Sequence, residues 1–347
     1  MKDNSVINDE IIEQPKVIHA FLDQETEHVF QIAQTLRGKF QYIIIAARGS
    51  SDNAARYAQY LFGAYNRLQV ALATPSLFSM YKTPPNMEGA LVIGISQSGQ
   101  SPDIVSVLEE ANRQNRPTLS ITNDPQSPLA QASKNVIPLH TGKEKAIAAT
   151  KTYTCSLAAL ALLSCTFAGD TGRLFALKAI PSSMEEVIEN KNQIAEKVAR
   201  YRYMEHCAVI GRGFNYSTAF EVALKIKELT RVVAEPYSSA DFRHGPIATI
   251  SPGFPVFLIA PSGAITPDLQ NMTQELAALK AETIIVSDDP AILSLGKTQF
   301  PIPTNIPEWL TPLIAVIPGQ IFAMQLAIER GLDPDVPEGL TKVTETY

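Results

Sequence analysis

Short runs of consecutive apolar residues alternate along this chain with longer stretches in which apolar residues recur every three or four positions. Residues 8–37 carry Ile11, Ile12, Val17, Ile18 and Phe21 at helical spacing, and Pro15 predicts an early interruption of that helix. There follow a strand at Tyr42–Ala46, a helix at Asp52–Phe62, a strand at Leu91–Ile95, a helix at Pro102–Asn112, a strand at Thr118–Ile121 and a short strand near Val136–Leu139. Strands that are apolar at every position are buried on both faces. Alternating with amphipathic helices, they predict parallel sheets covered on both sides.

The pattern then returns. Ala47-Arg48-Gly49 and Gly211-Arg212-Gly213 stand 164 residues apart, as do Ser98-Gly99 and Ser262-Gly263. Pro102-Asp103 and Pro267-Asp268 stand 165 apart, as do Asp124-Pro125 and Asp289-Pro290. Regular offsets at four turn signals imply an internal duplication. The expected architecture is α/β, with two similar flavodoxin-like parallel-sheet domains: an N-terminal helical segment over 1–40, a first domain over 41–175, and a connector helix with the second domain over 176–330. The connector includes Glu185–Arg200, and residues 331–347 form a polar, Pro-interrupted tail.

The apolar run Ala90–Ile95 breaks into Ser96-Gln97-Ser98-Gly99-Gln100-Ser101 before helical spacing resumes at Ile104. In an open parallel sheet, ligands bind at the carboxyl ends of the strands, where helix N-termini favour an anion. Ser96, Ser98 and Ser101 add hydroxyl donors, Gln97 an amide, and Gly99 permits close backbone approach. Gly49-Ser50-Ser51 occupies the equivalent turn after the preceding long strand, so the two turns together predict a phosphate cradle without lysine. Any one of these serines, Ser101 before Pro102 above all, is ordinarily a helix cap. Their density favours a ligand. The matching turn of the second half, Ala260-Pro261-Ser262-Gly263-Ala264, has lost most hydroxyls, which predicts one phosphate site per chain. Gly211-Arg212-Gly213 lacks the third glycine of a dinucleotide fingerprint, with Tyr216 at that place.

Composition narrows the classes. A net charge of −6, with no cluster of Lys and Arg, argues against nucleic acid. Cys155, Cys165 and Cys207 lack metal-type spacing and predict packed thiols in a reducing cytoplasm, with no disulfide and no metal. The N-terminus lacks the apolar core of a signal peptide. Thr152–Gly169 is free of charged residues, but it is short and rich in small residues, so it predicts a buried helix rather than a membrane span.

The second half carries Glu221, Lys225 and Glu228 at i, i+4 and i+7, on one helix face. That spacing ordinarily marks a solvated ion-pair face. His244, ahead of Gly245-Pro246, is a candidate for proton transfer; His19, His28, His140 and His206 have no comparable neighbours in the sequence and read as structural or surface groups.

At these residues the chain resembles the isomerase half of glucosamine-6-phosphate synthases and related sugar-isomerase (SIS) double-domain enzymes, from about Glu10 to Tyr347. The matching segments are EIIEQP (10–15), RGSSDNA (48–54), ISQSGQSPD (95–103), EKAIAATK (144–151), FEVALKIKELTRVVAEPYSSADFRHGP (220–246) and GLDPDVPEGLTKVTE (331–345). The resemblance implies that Gly49, Ser50, Ser51, Ser96, Gln97, Ser98 and Ser101 hold the phosphate and nearby hydroxyls, with backbone near Ile147. It implies that Glu228 moves a proton between C1 and C2, with Lys225 beside it. His244 would assist ring opening from the neighbouring subunit of a homodimer, and Lys342 would contact the carbonyl end of the sugar and can form an imine. Ser101 stands where those enzymes have threonine, and Thr341, beside Lys342, where they have alanine. The chain begins MKDNS without the glutaminase domain of a synthase, so a stand-alone deaminase is expected: glucosamine 6-phosphate and water give fructose 6-phosphate and ammonia, with no cofactor. Glu228 is expected to be partly buried, which raises a carboxyl pKa toward the working range. The rival readings are an aldose–ketose isomerase or deglycase of another 6-phosphosugar, and a sugar-phosphate sensor without turnover. No nucleic-acid or membrane partner is expected.

Overall fold

The computed structural model describes residues 5–342. Its strands are β1 (Tyr42–Ala46), β2 (Val70–Leu72), β3 (Ala90–Ser96), β4 (Thr118–Thr122), β5 (Asn135–Pro138), β6 (His206–Gly211), β7 (Val233–Ser238), β8 (Pro255–Ile259), β9 (Glu282–Ser287) and β10 (Thr298–Pro301). They form two five-stranded parallel sheets, ordered β2-β1-β3-β4-β5 and β7-β6-β8-β9-β10. Strand for strand the orders are the same, and both match the flavodoxin-like arrangement expected of a duplicated α/β chain. β3 and β8 are buried at every position, as their uninterrupted apolar runs require.

The chain divides into two compact units. The first holds Lys16–Glu144, Lys151–Ala179 and the tail from Thr341; the second holds the segment up to Pro15, Lys145–Thr150 and Ile180–Leu340. In the first, Ile44, Val92, Ile104, Val107 and Leu108 pack one face of the sheet into a core. In the second, Ile210, Val256, Leu258, Leu269 and Met272 do the same. The expected connector is not one helix, because Thr171–Glu189, Lys191–Glu196 and a turn at Ala199–Tyr201 succeed one another.

Pro15 does not interrupt its helix, which runs unbroken from Val6 to Leu36. A proline leaves the carbonyl four residues earlier without its N–H donor, and here the Gln14 side-chain amide donates to the Ile11 carbonyl at 3.0 Å, repairing the loss. The tail is equally well tied. The Asp335 carboxylate accepts the N–H groups of Val6 and Ile7, each at 2.9 Å, and so caps that helix from the far end of the sequence.

Helix Lys151–Ala168 is buried along almost its whole length, as its small apolar residues predict. Among the described residues one segment, Glu308–Glu329, is long and apolar enough to cross a membrane, and 94% of its apolar window is buried in the protein. It contains the helix Thr311–Glu329, whose Gly319 packs on Val222 so closely that a Cβ would lie 2.3 Å from Cγ2.

Candidate active site

β1 and β3 are neighbours in the first sheet, so the two serine-bearing turns leave it side by side. The first turn enters helix Ser50–Asn66 through Gly49, whose φ of 55° lies in the left-handed region that glycine tolerates. The second enters helix Pro102–Arg113 through Ser101. Gly49, Ser50, Ser51, Ser96, Gln97, Ser98 and Ser101 are thereby brought to one sheet edge, at the carboxyl ends of the strands.

The hydroxyls also build the turn. Ser96 Oγ accepts the Gly99 N–H at 3.1 Å, and Ser98 Oγ accepts the Gln100 N–H at 3.3 Å. Each oxygen that accepts still has its own O–H to donate to an anion. Ser101 occupies the cap position without its side chain making a capping hydrogen bond, so the ordinary explanation for a serine there does not apply to its hydroxyl.

Packing within the protein also requires glycine at position 99. A Cβ there would lie 2.1 Å from Ser127 Oγ and 2.4 Å from Ser127 Cβ, at a φ of 64°. Ser127 is itself fixed as the cap of the short helix Pro128–Gln131. Gly99→Ala is therefore expected to lower stability by about 2–4 kcal/mol, as strain and overpacking add. Urea unfolding would measure this, and a loss below about 0.5 kcal/mol would count as an ordinary surface change and refute the packing argument.

Arg48 and Asp103 brace the two turns. The guanidinium places Nε at 2.9 Å and an Nη at 2.8 Å from Asp103 Oδ2, and the carboxylate is fully buried. The second unit repeats the brace with Arg212 and Asp268 at 2.9 Å. The sequence marks both pairs only as repeated turn signals, 164 residues apart for the arginines and 165 for the aspartates. Burial alone would raise the Asp268 carboxyl, but hydrogen bonds from Ser239 and Arg212 and the charges of Arg243 and Arg212 outweigh it and hold it below the usual range. A depressed folded pKa contributes stability that is present above the unfolded value of about 3.9 and is lost as pH falls through the folded one. Asp268→Asn should therefore cost on the order of 1 kcal/mol at neutral pH and progressively less in acid. Unfolding free energies measured between neutral and acid pH check this, and a pH-independent difference would contradict it.

The second unit carries the candidate acid–base groups. On helix Tyr216–Thr230, Lys225 Nζ lies 2.5 Å from Glu228 Oε2 and 3.4 Å from Glu221 Oε1. The spacing predicted the shared face, but that face is not solvated: Glu221 and Lys225 are 0% and 1% exposed, and Glu228 is 23% exposed, partly buried as expected. His244 lies on an exposed corner that ends the short helix Ser239–Arg243. Ile147 is half-buried in the Lys145–Thr150 segment, which the buried Glu10 carboxylate fastens by accepting the Lys145 N–H at 2.5 Å and the Ala146 N–H at 3.3 Å.

Lys342, in the first unit, reaches a group the sequence reading did not single out. Its Nζ lies 2.8 Å from Glu144 Oε2, while Glu144 also accepts the Thr152 N–H at 3.1 Å and the Thr152 hydroxyl at 2.8 Å. Thr341 is exposed beside it, and residues 343–347 of the tail motif lie outside the described residues. The three cysteines are buried and reduced. Burial pushes the Cys165 thiol up to about 11, the Cys207 thiol up to about 12, and the Cys155 thiol well above its ordinary value.

The SIS domain model matches this chain twice, over residues 39–164 and 202–330. The chain belongs to the SIS family. It is 31% identical over 353 aligned residues to an isomerizing glutamine–fructose-6-phosphate aminotransferase of Bacteroides thetaiotaomicron, an alignment spanning 96% of this chain and 57% of that protein. The chain thus spans a little over half the length of that relative. Among solved structures, the C-terminal domain of glucosamine-fructose-6-phosphate aminotransferase from Francisella tularensis superposes with a TM-score of 0.85 at 26% identity, covering 97% of this chain and 100% of that one. A glucosamine-6-phosphate deaminase of Thermotoga maritima shares the fold, with a TM-score of 0.80 at 24% identity over 99% of this chain and 100% of that one. This SIS chain accordingly carries two SIS domains similar to the isomerase half of those aminotransferases.

Proposed function

We propose that this SIS chain deaminates glucosamine 6-phosphate, giving fructose 6-phosphate and ammonia. The phosphate would be held by the serine turns and the reaction run by Glu228 with Lys225, His244 and Lys342. The observation that carries the reading is the Lys225–Glu228 pair. A carboxylate that is part-buried and held 2.5 Å from an ammonium is oriented for proton transfer. The relatives' names give fructose 6-phosphate as their sugar, which supports the hexose phosphate class.

In the proposed course, His244 assists ring opening to the C1 aldehyde. Glu228 removes the C2 proton as O1 is protonated, forming a C1–C2 enolamine, and returns that proton to C1 as the amino nitrogen releases one. The product of that transfer is an imine at C2. Water adds there, ammonia leaves, and the 2-ketose remains. Lys342 would contact the carbonyl end.

Purified protein incubated with glucosamine 6-phosphate should release ammonia and fructose 6-phosphate in equal amounts. Isomerisation of another 6-phosphosugar without ammonia would replace the deaminase reading by an isomerase. Tight binding without turnover would make the chain a sensor.

We further propose a homodimer in which His244 serves the neighbouring subunit's Glu228. Random pairing of Glu228→Gln and Glu228-intact His244→Ala chains leaves one good site in half of the dimers, so the mixture should recover about a quarter of the wild-type activity. A mixture as inactive as its parents would place both groups on the same subunit.

A further inference from the structure

The second repeat has turns in the same places as the serine turns of the first, and there the Ser262 and Ala264 N–H groups donate to carboxylates while the Gly263 N–H between them donates to Thr266 Oγ1 at 2.7 Å. Glu308 Oε2 accepts the Ala264 N–H at 2.7 Å, and Asp288 Oδ1 accepts the Ser262 N–H at 2.6 Å. Glu308 lies so close over Gly263 that a Cβ on that glycine would be 2.2 Å from Cδ and 2.3 Å from Oε2. Its other oxygen, Oε1, lies 3.8 Å from the corresponding position on Gly213, in the neighbouring turn. The carboxylate thus binds the Ser262–Ala264 turn and faces the neighbouring one at Gly213, and the Arg212–Asp268 brace holds the two turns together as Arg48–Asp103 holds their counterparts.

In the first repeat the loop after the fifth strand also carries a glutamate, Glu144, 164 residues before Glu308. There the carboxylate is engaged by Thr152 and Lys342. The same loop therefore serves a helix start and the tail in one repeat and the anion turn in the other.

We infer that the second repeat retains an oxyanion site of the phosphate class and that the Glu308 carboxylate is its resident occupant. A carboxylate on the same chain competes with a free anion at a high effective concentration. It also needs no hydroxyls around it, which accounts for a turn that keeps Ser262 and Gly263 but has Ala260 and Ala264 where the first repeat has Ser96 and Gln100.

The test follows backbone amide resonances of the full chain as inorganic phosphate is added. In wild type, Gly263 and Ala264 should not move with phosphate. In Glu308→Ala they should shift saturably, with an apparent Kd at least about ten-fold lower than any wild-type response. A folded Glu308→Ala whose Gly263 and Ala264 amides ignore phosphate, or a wild type that responds as strongly as the variant, overturns the assignment.

Glu308→Asp, which withdraws the carboxylate by one methylene, should show the same shift and serves if the alanine variant does not fold. These readings concern the second repeat alone, so a failure of ammonia release leaves them intact.

Discussion

Glu228→Gln is expected to lower kcat about 10²–10⁴-fold on glucosamine 6-phosphate, the range that a positioned general base contributes. KM should change little, because the phosphate-binding groups assigned to the first repeat are untouched. Glutamine keeps the size of the side chain and an oxygen that can accept from Lys225, so the thermal unfolding midpoint should stay close to that of wild type. Steady-state kinetics beside an unfolding curve separate the two effects. Retention of kcat within about three-fold would remove Glu228 from the chemistry.

Lys225→Met should have the largest effect on stability. It deletes the ammonium between Glu221 and Glu228 and leaves the fully buried Glu221 without it. Breaking a buried ion pair from one side typically costs about 3–5 kcal/mol, because a desolvated charge remains. Urea unfolding would measure the loss. Adding Glu221→Gln to Lys225→Met should recover part of it, and a cycle showing simple additivity would mean the two side chains do not interact.

The sheets were legible because consecutive apolar residues such as Tyr42–Ala46 and Ala90–Ile95 have few alternatives to a buried parallel strand. The three-residue β2 was too short to leave a pattern. Turn chemistry located the two serine-bearing turns, and helical spacing put Glu221, Lys225 and Glu228 on one face. Whether that face met water was not legible, since spacing fixes direction along a helix but not what packs against it. Pro15 misled for a related reason: its penalty is local, whereas the repair by Gln14 depends on a side chain whose orientation no propensity encodes. Asp335, Glu144 and Glu308 each act on backbone far away in sequence or across a loop, and a lone carboxylate in a polar stretch carries no signal of such a contact.

The Arg48–Asp103 brace also determines how an anion at the serine turns would be held. The one cation in that pair of turns is already neutralised by a buried carboxylate, so the attraction falls to O–H and N–H dipoles and to the start of helix Pro102–Arg113. Dipoles fixed in the fold gather no diffuse counterion atmosphere to be displaced, unlike a fringe of mobile lysines. The phosphate proposed for the first repeat would thus be retained across a wide range of ionic strength, and selected by the arrangement of its oxygens rather than by its charge.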